Sequence, residues 1–242
     1  MRQGRAEPRL GWHPSSEGLR SRVIACRRCP RLVAFREGVP ARASYAGEEY
    51  WRKPVPGFGD LGGRLLVLGI APAASGGNRT GRPFTGDSSG RFLVRALYEC
   101  GFASQPASES ATDGLEYRDC YVTAAVKCAP PGDKPSTLEF ANCAEYLDSE
   151  IGMMRNLRVV LTLGALSFRA YAQHLSRAGI RTRGLSFGHG KVYRVEGAPA
   201  MVSCYHPSPR NTNTGKLTES MLVETIRLAR RELSRTDHHP RA

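Results

Sequence analysis

Residues 64–87, "RLLVLGIAPAASGGNRTGRPFTGD", join a short apolar run to a loop rich in glycine and arginine. The run, Arg64 to Ile70, is apolar at nearly every position and has strand length, so it reads as a buried strand. A strand of that kind belongs in a parallel sheet covered by helices on either side. In the loop, Gly76 and Gly81 have the G-x-x-x-x-G spacing of a phosphate cradle, yet Arg82 and Pro83 stand where Lys and then Ser or Thr are needed. Pro83 also removes a backbone donor, so a nucleotide-dependent phosphotransferase ranks last among the readings.

Three more β-branched runs resemble the first: Cys120 to Val126, Arg158 to Leu163 and Ala200 to Cys204. Helical patterns alternate with them. Ser88 to Cys100 puts Phe92, Leu93, Ala96 and Leu97 on one face, and Thr137 to Met154 does so with Leu138, Ala141, Tyr146 and Ile151. Ala165 to Ala178 and Leu217 to Leu233 complete the series. This alternation predicts an α/β fold with a mainly parallel sheet. Ligands of such sheets bind beyond the carboxyl ends of the strands, so the loop after Gly69 and "HPSPRNTNTG" (206–215) are expected to face one crevice. One domain over 19–235 is expected, with residues 1–18 and 236–242 as flexible, polar termini.

The 242 residues carry a formal net charge of +13, which favours a polyanionic partner, nucleic acid first, over acidic proteins; surplus arginine for solubility is the ordinary alternative. No apolar stretch reads as a secretory signal or a membrane span, and the seven cysteines are an odd number. A cytoplasmic protein with free thiols or metal ligands is the expectation. Cys26 and Cys29 form C-x2-C, and Cys128 and Cys143 form C-x14-C. Four soft thiolates suit zinc or an iron-sulfur cluster, and spacing alone leaves both open. Cys100, Cys120 and Cys204 lie inside apolar elements and read as packing residues.

Taken together, "GIAPAASGGNRTGRPFTGD", "AAVKCAPPGDKP", "CYHPSPRNTNTG" and the spaced cysteines resemble a family 5 uracil-DNA glycosylase, from about Cys26 to about Leu233. The resemblance implies a three-layer α/β/α sandwich with a four-stranded parallel sheet, monomeric, and a structural [4Fe-4S] cluster on Cys26, Cys29, Cys128 and Cys143. It implies excision of uracil and other deaminated or damaged bases from DNA: hypoxanthine, and with it xanthine and ethenocytosine. A base inside a duplex is out of reach, so it must be swung into a pocket that stacks on it and reads its edge. Ala71, Pro72, Ala73, Gly76, Asn78 and Phe84 are the candidate base-binding residues, with Phe84 as the stacking face.

Cleaving an N-glycosidic bond builds positive charge on the sugar, which a carboxylate and an oriented water relieve. Relatives narrow for uracil carry an acidic residue just after the first glycine of this motif; here that position is Ile70, and Asp87 is the first available carboxylate. Asp87 also suits an N-cap before Ser88, a role compatible with catalysis. By resemblance His206 donates a hydrogen bond to the departing base, as a neutral or a charged imidazole. Pro209 and Arg210 are placed for a minor-groove wedge, and Arg79, Arg82, Ser208, Asn211 and Asn213 for phosphate contacts. Many relatives have Asn where this chain has Ala124; loss of that amide implies a permissive pocket. The alternative from another class is a non-catalytic, metal-stabilised nucleic-acid-binding module, expected if Asp87 only caps its helix.

Overall fold

A computed structural model of the chain describes residues 16–237. The four expected strands are present as β2 (Leu65–Gly69), β3 (Cys120–Ala124), β4 (Val159–Leu163) and β6 (Ala200–Cys204), all parallel and buried throughout. The sheet is wider than expected. Two short strands, β1 (Phe58–Gly59) and β5 (Lys191–Tyr193), pair antiparallel on its edges, giving six strands in the order β1-β3-β2-β4-β6-β5. Each is two or three residues long and at least partly exposed, so neither carries a buried apolar run that sequence reading could detect. Short antiparallel edges also cap a sheet that would otherwise offer unpaired backbone groups.

Alternate residues of β2 feed opposite faces, as the pleat requires. Leu65 and Val67 pack with α4 (Ser88–Glu99) and α8 (Glu219–Asp237); Leu66 and Leu68 pack with α5 (Thr137–Met153) and α6 (Ala165–Arg177). Three layers result. Cys100, Cys120 and Cys204 all lie in the first of these cores, as expected. Two helices precede the sheet, α1 (Ser16–Ile24) and α2 (Pro30–Gly38), and two short ones sit in the loops, α3 (Gly77–Thr80) and α7 (Pro209–Thr212). Helix α1 takes in Ser16, Glu17 and Gly18, assigned above to a flexible terminus, because Leu19 and Val23 anchor it against Tyr146. Helix α8 likewise runs two residues beyond the expected boundary at 235. Residues 1–15 and 238–242 of the expected flexible termini lie outside the described residues.

The buried face of α5 is the expected one only in part: Tyr146 is buried and Ile151 packs against the core. Leu138 is 68% exposed and Ala141 also faces outward, whereas Glu139, Cys143, Leu147 and Glu150 are buried with Tyr146. Pairing decides this. Glu139 receives a two-pronged bond from Arg31 of α2 at 2.8 and 2.6 Å, and Glu150 binds the buried Lys127 ammonium at 2.7 Å. Charge compensation from distant segments lets two glutamates take positions that an apolar pattern assigns to hydrophobic residues.

Chain order places the crevice. From β2 the chain moves outward to β3, then returns past β2 to β4 and continues to β6 in the opposite direction. The reversal leaves a gap beyond the carboxyl ends of β2 and β4. A Cβ added at Gly164, just after β4, would lie 3.1 Å from the His206 Cβ and 3.5 Å from the Ile70 Cδ1, so three strand ends meet there.

Candidate active site

A cleft of about 720 Å³ opens at that gap. Ile70, Ala71, Pro72 and Ala73 form one wall, and Asp87, His206, Ser208, Pro209 and Arg210 another. The two loops that were expected to converge do so. Both candidate catalytic groups, three of the base-binding candidates and three of the DNA-binding candidates therefore share one cavity, of a size that suits a nucleoside.

Asp87 is held at the N-terminus of α4, where its Oδ1 accepts from the Gly90 N–H at 2.8 Å. Burial raises its pKa, while the Gly90 and Ser89 amides pull the other way by favouring the anion. Its second oxygen faces Gly76. A Cβ on Gly76 would stand 1.7 Å from Oδ2, so only glycine leaves room for the carboxylate. Gly76 thus shapes the site through Asp87.

His206 stands two residues past the end of β6, and its carbonyl accepts from the Asn211 side-chain amide at 2.8 Å. Burial lowers the imidazole to a pKa of about 4, so at neutral pH the ring is an uncharged donor. Of the two protonation states expected, the neutral one is the one this environment favours. Phe84 has its ring 6.3 Å from the His206 ring, tilted by 36°. It also packs against the core, with Gly69 pared to a hydrogen beneath it: a Cβ there would meet the ring at 2.7 Å. Phe84 is thus half-buried, tied to the core on one side and near the His206 ring on the other.

Other candidates are placed differently. Asn78 is fully buried, and its Nδ2 donates to the Arg36 carbonyl of α2 at 3.1 Å, which turns the amide away from the cleft. Arg79 is 7% exposed; it pairs with Glu48 at 2.5 Å, donates to Ser75 and Gly86 carbonyls, and covers the Tyr45 ring. Arg82 is 4% exposed, holds both oxygens of Asp113 at 2.8 and 2.7 Å and bonds Thr85 and Ser108. The expected base contact of Asn78 and the phosphate contacts of Arg79 and Arg82 give way to roles in building the loop. Asn211 likewise spends its amide on His206, while Pro209, Arg210 and Asn213 are exposed as a wedge or phosphate contact requires.

Sequence reading missed several residues at the mouth. Exposed Arg42, Arg91 and Lys134 stand around the cleft with Arg210, making a cationic rim suited to phosphates, and Asp133 lies among them. Arg91 follows Asp87 by one helical turn, a signal that could have been used. Arg42 sits in a segment without periodicity and carried none, while Lys134 falls inside the quoted "AAVKCAPPGDKP" motif without standing out from it. A second cleft, of about 760 Å³ at the β1 edge, is lined by Glu17, Asp60 and Glu116 with Arg20, a lining that repels DNA. Ala124 is buried at the end of β3, beside Gly69, and its carbonyl accepts from Lys127.

The four spaced cysteines line one small cavity of about 10 Å³, together with Leu32 and Asn142. All are free thiols, and Asn142 donates to the Cys29 sulfur at 3.4 Å. Among the described residues, no three His, Cys, Asp or Glu side chains converge closely enough for one metal ion. No helix of the described residues is long and apolar enough to cross a membrane.

Comparison with known proteins agrees with this geometry. A profile of the Uracil DNA glycosylase superfamily matches residues 56–230. A type-5 uracil-DNA glycosylase of Thermus thermophilus is 45% identical over 210 residues, covering 86% of this chain and 94% of that protein. One from Pyrobaculum aerophilum is 45% identical over 219 residues, covering 90% and 92%. A type-5 enzyme of Mycobacterium tuberculosis is 41% identical over 216 residues, covering 88% and 80%. With its cleft at the strand reversal, its glycine-backed Asp87 and its uncharged His206, the chain belongs to the type-5 uracil-DNA glycosylases of the uracil-DNA glycosylase superfamily.

Proposed function

We propose that this protein is a uracil-DNA glycosylase that hydrolyses the N-glycosidic bond of a base flipped out of DNA. The observation that carries the reading is the meeting of Asp87 and His206 across one cleft inside a cationic rim. Phosphates on Arg42, Arg91, Lys134 and Arg210 hold the strand while the nucleotide turns into the cleft. The base lies against Ala71 to Ala73 and stacks on Phe84; Pro209 and Arg210 fill the space it leaves.

As the bond from C1′ to the base nitrogen breaks, its electron pair leaves with the base. Neutral His206 donates a hydrogen bond to that developing anion, which takes its proton from solvent. A charged donor is not needed, since a low-dielectric cleft strengthens a fixed neutral one. Positive charge left on the sugar is met by the Asp87 carboxylate, which also orients the attacking water. The water oxygen bonds to C1′ and gives up its proton to Asp87 or solvent, leaving an abasic site. Capping and catalysis coexist because one oxygen of Asp87 serves the helix and the other points past Gly76.

The pocket accepts hypoxanthine, xanthine and ethenocytosine besides uracil. Support comes from the small apolar wall and from Ala124, which offers no amide at a strand end where a reader would stand. Cys26, Cys29, Cys128 and Cys143 hold a [4Fe-4S] cluster. Thiols arranged around a cavity suit a polynuclear cluster, one sulfur to each iron, better than one zinc ion with each sulfur at ~2.3 Å. When bound, the cluster supplies a cross-link between the segment before α2 and the α5 region. It takes no part in the steps above.

Alkali-induced strand scission at one uracil tests the reading. Asp87→Asn and His206→Ala should each lower the single-turnover rate by about 10²–10³-fold. Unchanged rates in both would favour a binding module instead. Strict preference for uracil over hypoxanthine and ethenocytosine would remove the broad specificity alone.

A further inference from the structure

Beside the cysteine cavity lies a buried cation that the reaction does not use. Arg36 of α2 is 2% exposed. Its Nη1 donates to the Arg52 carbonyl at 2.6 Å and its Nη2 reaches the Cys26 carbonyl at 3.5 Å, while its buried Nε has no hydrogen-bond partner. A guanidinium removed from water needs compensating negative charge. Among the described residues, the carboxylate within ion-pair distance is Glu37, at 3.4 Å and 41% exposed. Glu37 is already held by Arg27 at 2.5 and 3.1 Å. The interior therefore keeps an under-compensated positive charge beside the Cys26 backbone.

Neighbouring cations differ. Lys127 is neutralised by Glu150, with Thr123 and the Ala124 carbonyl taking its remaining donors. Arg28 lies over the Tyr146 ring and reaches Glu145, which is half exposed. Arg36 alone of these three has its charge both buried and dependent on a carboxylate already held by another arginine. Its backbone carbonyl meanwhile receives Asn78 of the catalytic loop.

We propose that Arg36 is the built-in counter-cation of the cysteine site, which raises the reduction potential of the bound cluster and slows its loss. This rests on the cluster reading above. A thiolate-ligated cluster is anionic, and net charge near it is a principal lever on its potential. A fixed positive charge favours the reduced, more negative state, and it favours thiolate over thiol.

The test uses the protein as purified. Iron and sulfide are assayed first; then the potential is measured by anaerobic titration and iron release to a chelator is timed. Arg36→Gln should shift the couple about tenfold toward the oxidised cluster, about 59 mV for one electron, and release iron faster than the parent. Arg36→Lys keeps the charge and should hold the parental potential. Glu37→Gln, at a half-exposed position tolerant of change, removes the shared carboxylate and should shift the couple the other way. If Arg36→Gln does not fold, the opposite-sign shift of Glu37→Gln still decides. Equal shifts for Gln and Lys at position 36, or an unmoved potential in Glu37→Gln, would overturn the role of Arg36. Parent protein free of iron would overturn both this role and the cluster reading.

Discussion

The loop after β2 and the loop after β6 line the same cleft, both bear arginine and glycine, and they are built in opposite ways. In the first, Arg79 and Arg82 are buried and paired with Glu48 and Asp113. In the second, Arg210 is exposed on a single helical turn, with local bonds around it. One loop is a wall made rigid by internal charge, while the other presents its charge outward. The residue type alone does not separate the two uses. A carboxylate brought in from elsewhere in the chain does.

The largest expected effect bears on the wall. Arg82→Ala leaves Asp113 without its partner and should lower unfolding free energy by about 3–5 kcal/mol in a denaturant titration, whereas Arg210→Ala should stay within about 0.5 kcal/mol. Equal stabilities would break the comparison. Next, Gly76→Ala would push the Asp87 carboxylate aside and should cost about 10²-fold in single-turnover excision without changing iron content. A parental rate would show that Asp87 tolerates displacement and that the wall is softer than drawn.

Smaller effects sharpen the outer loop. Arg210→Ala should weaken DNA binding and reduce the slope of log affinity against log salt by about 1, read by fluorescence anisotropy. An unchanged slope would remove Arg210 from the phosphate contacts. The smallest signal is in pH. The folded-state pKa of His206 is about 4, below the ordinary value of 6.5, so the unfolded chain takes up the proton first as pH falls. His206 therefore costs no stability at neutral pH, and stability declines as pH drops from about 6.5 toward 4. His206→Gln should flatten the stability profile across that window; an identical profile would show that the imidazole is not buried in solution.

Much of the site was legible because its signals are local. Gly76, Asp87 and His206 stand in or at the close of the loops that follow two apolar runs, and the carboxyl end of a strand in an α/β sheet is where ligands bind. The edge strands β1 and β5 were not legible, since two or three half-exposed residues make no pattern. On α5, apolar periodicity pointed to Leu138, which is exposed, because the true buried face includes Glu139 and Glu150. Their partners Arg31 and Lys127 lie 108 and 23 residues away. Asn78 misled in the same manner: an amide in a polar loop reads as a ligand group until a distant carbonyl claims it.

The chain by itself determined the four parallel strands and the convergence of two loops, because burial on both faces and strand-end loops are written in consecutive residues, and the family through the loop motifs that carry the resemblance. Tertiary structure alone decided which cations are structural and which are free to meet DNA. Arg79 and Arg82 each find their carboxylate 31 positions away, and the desolvation cost of a charge is offset only by what the fold sets beside it.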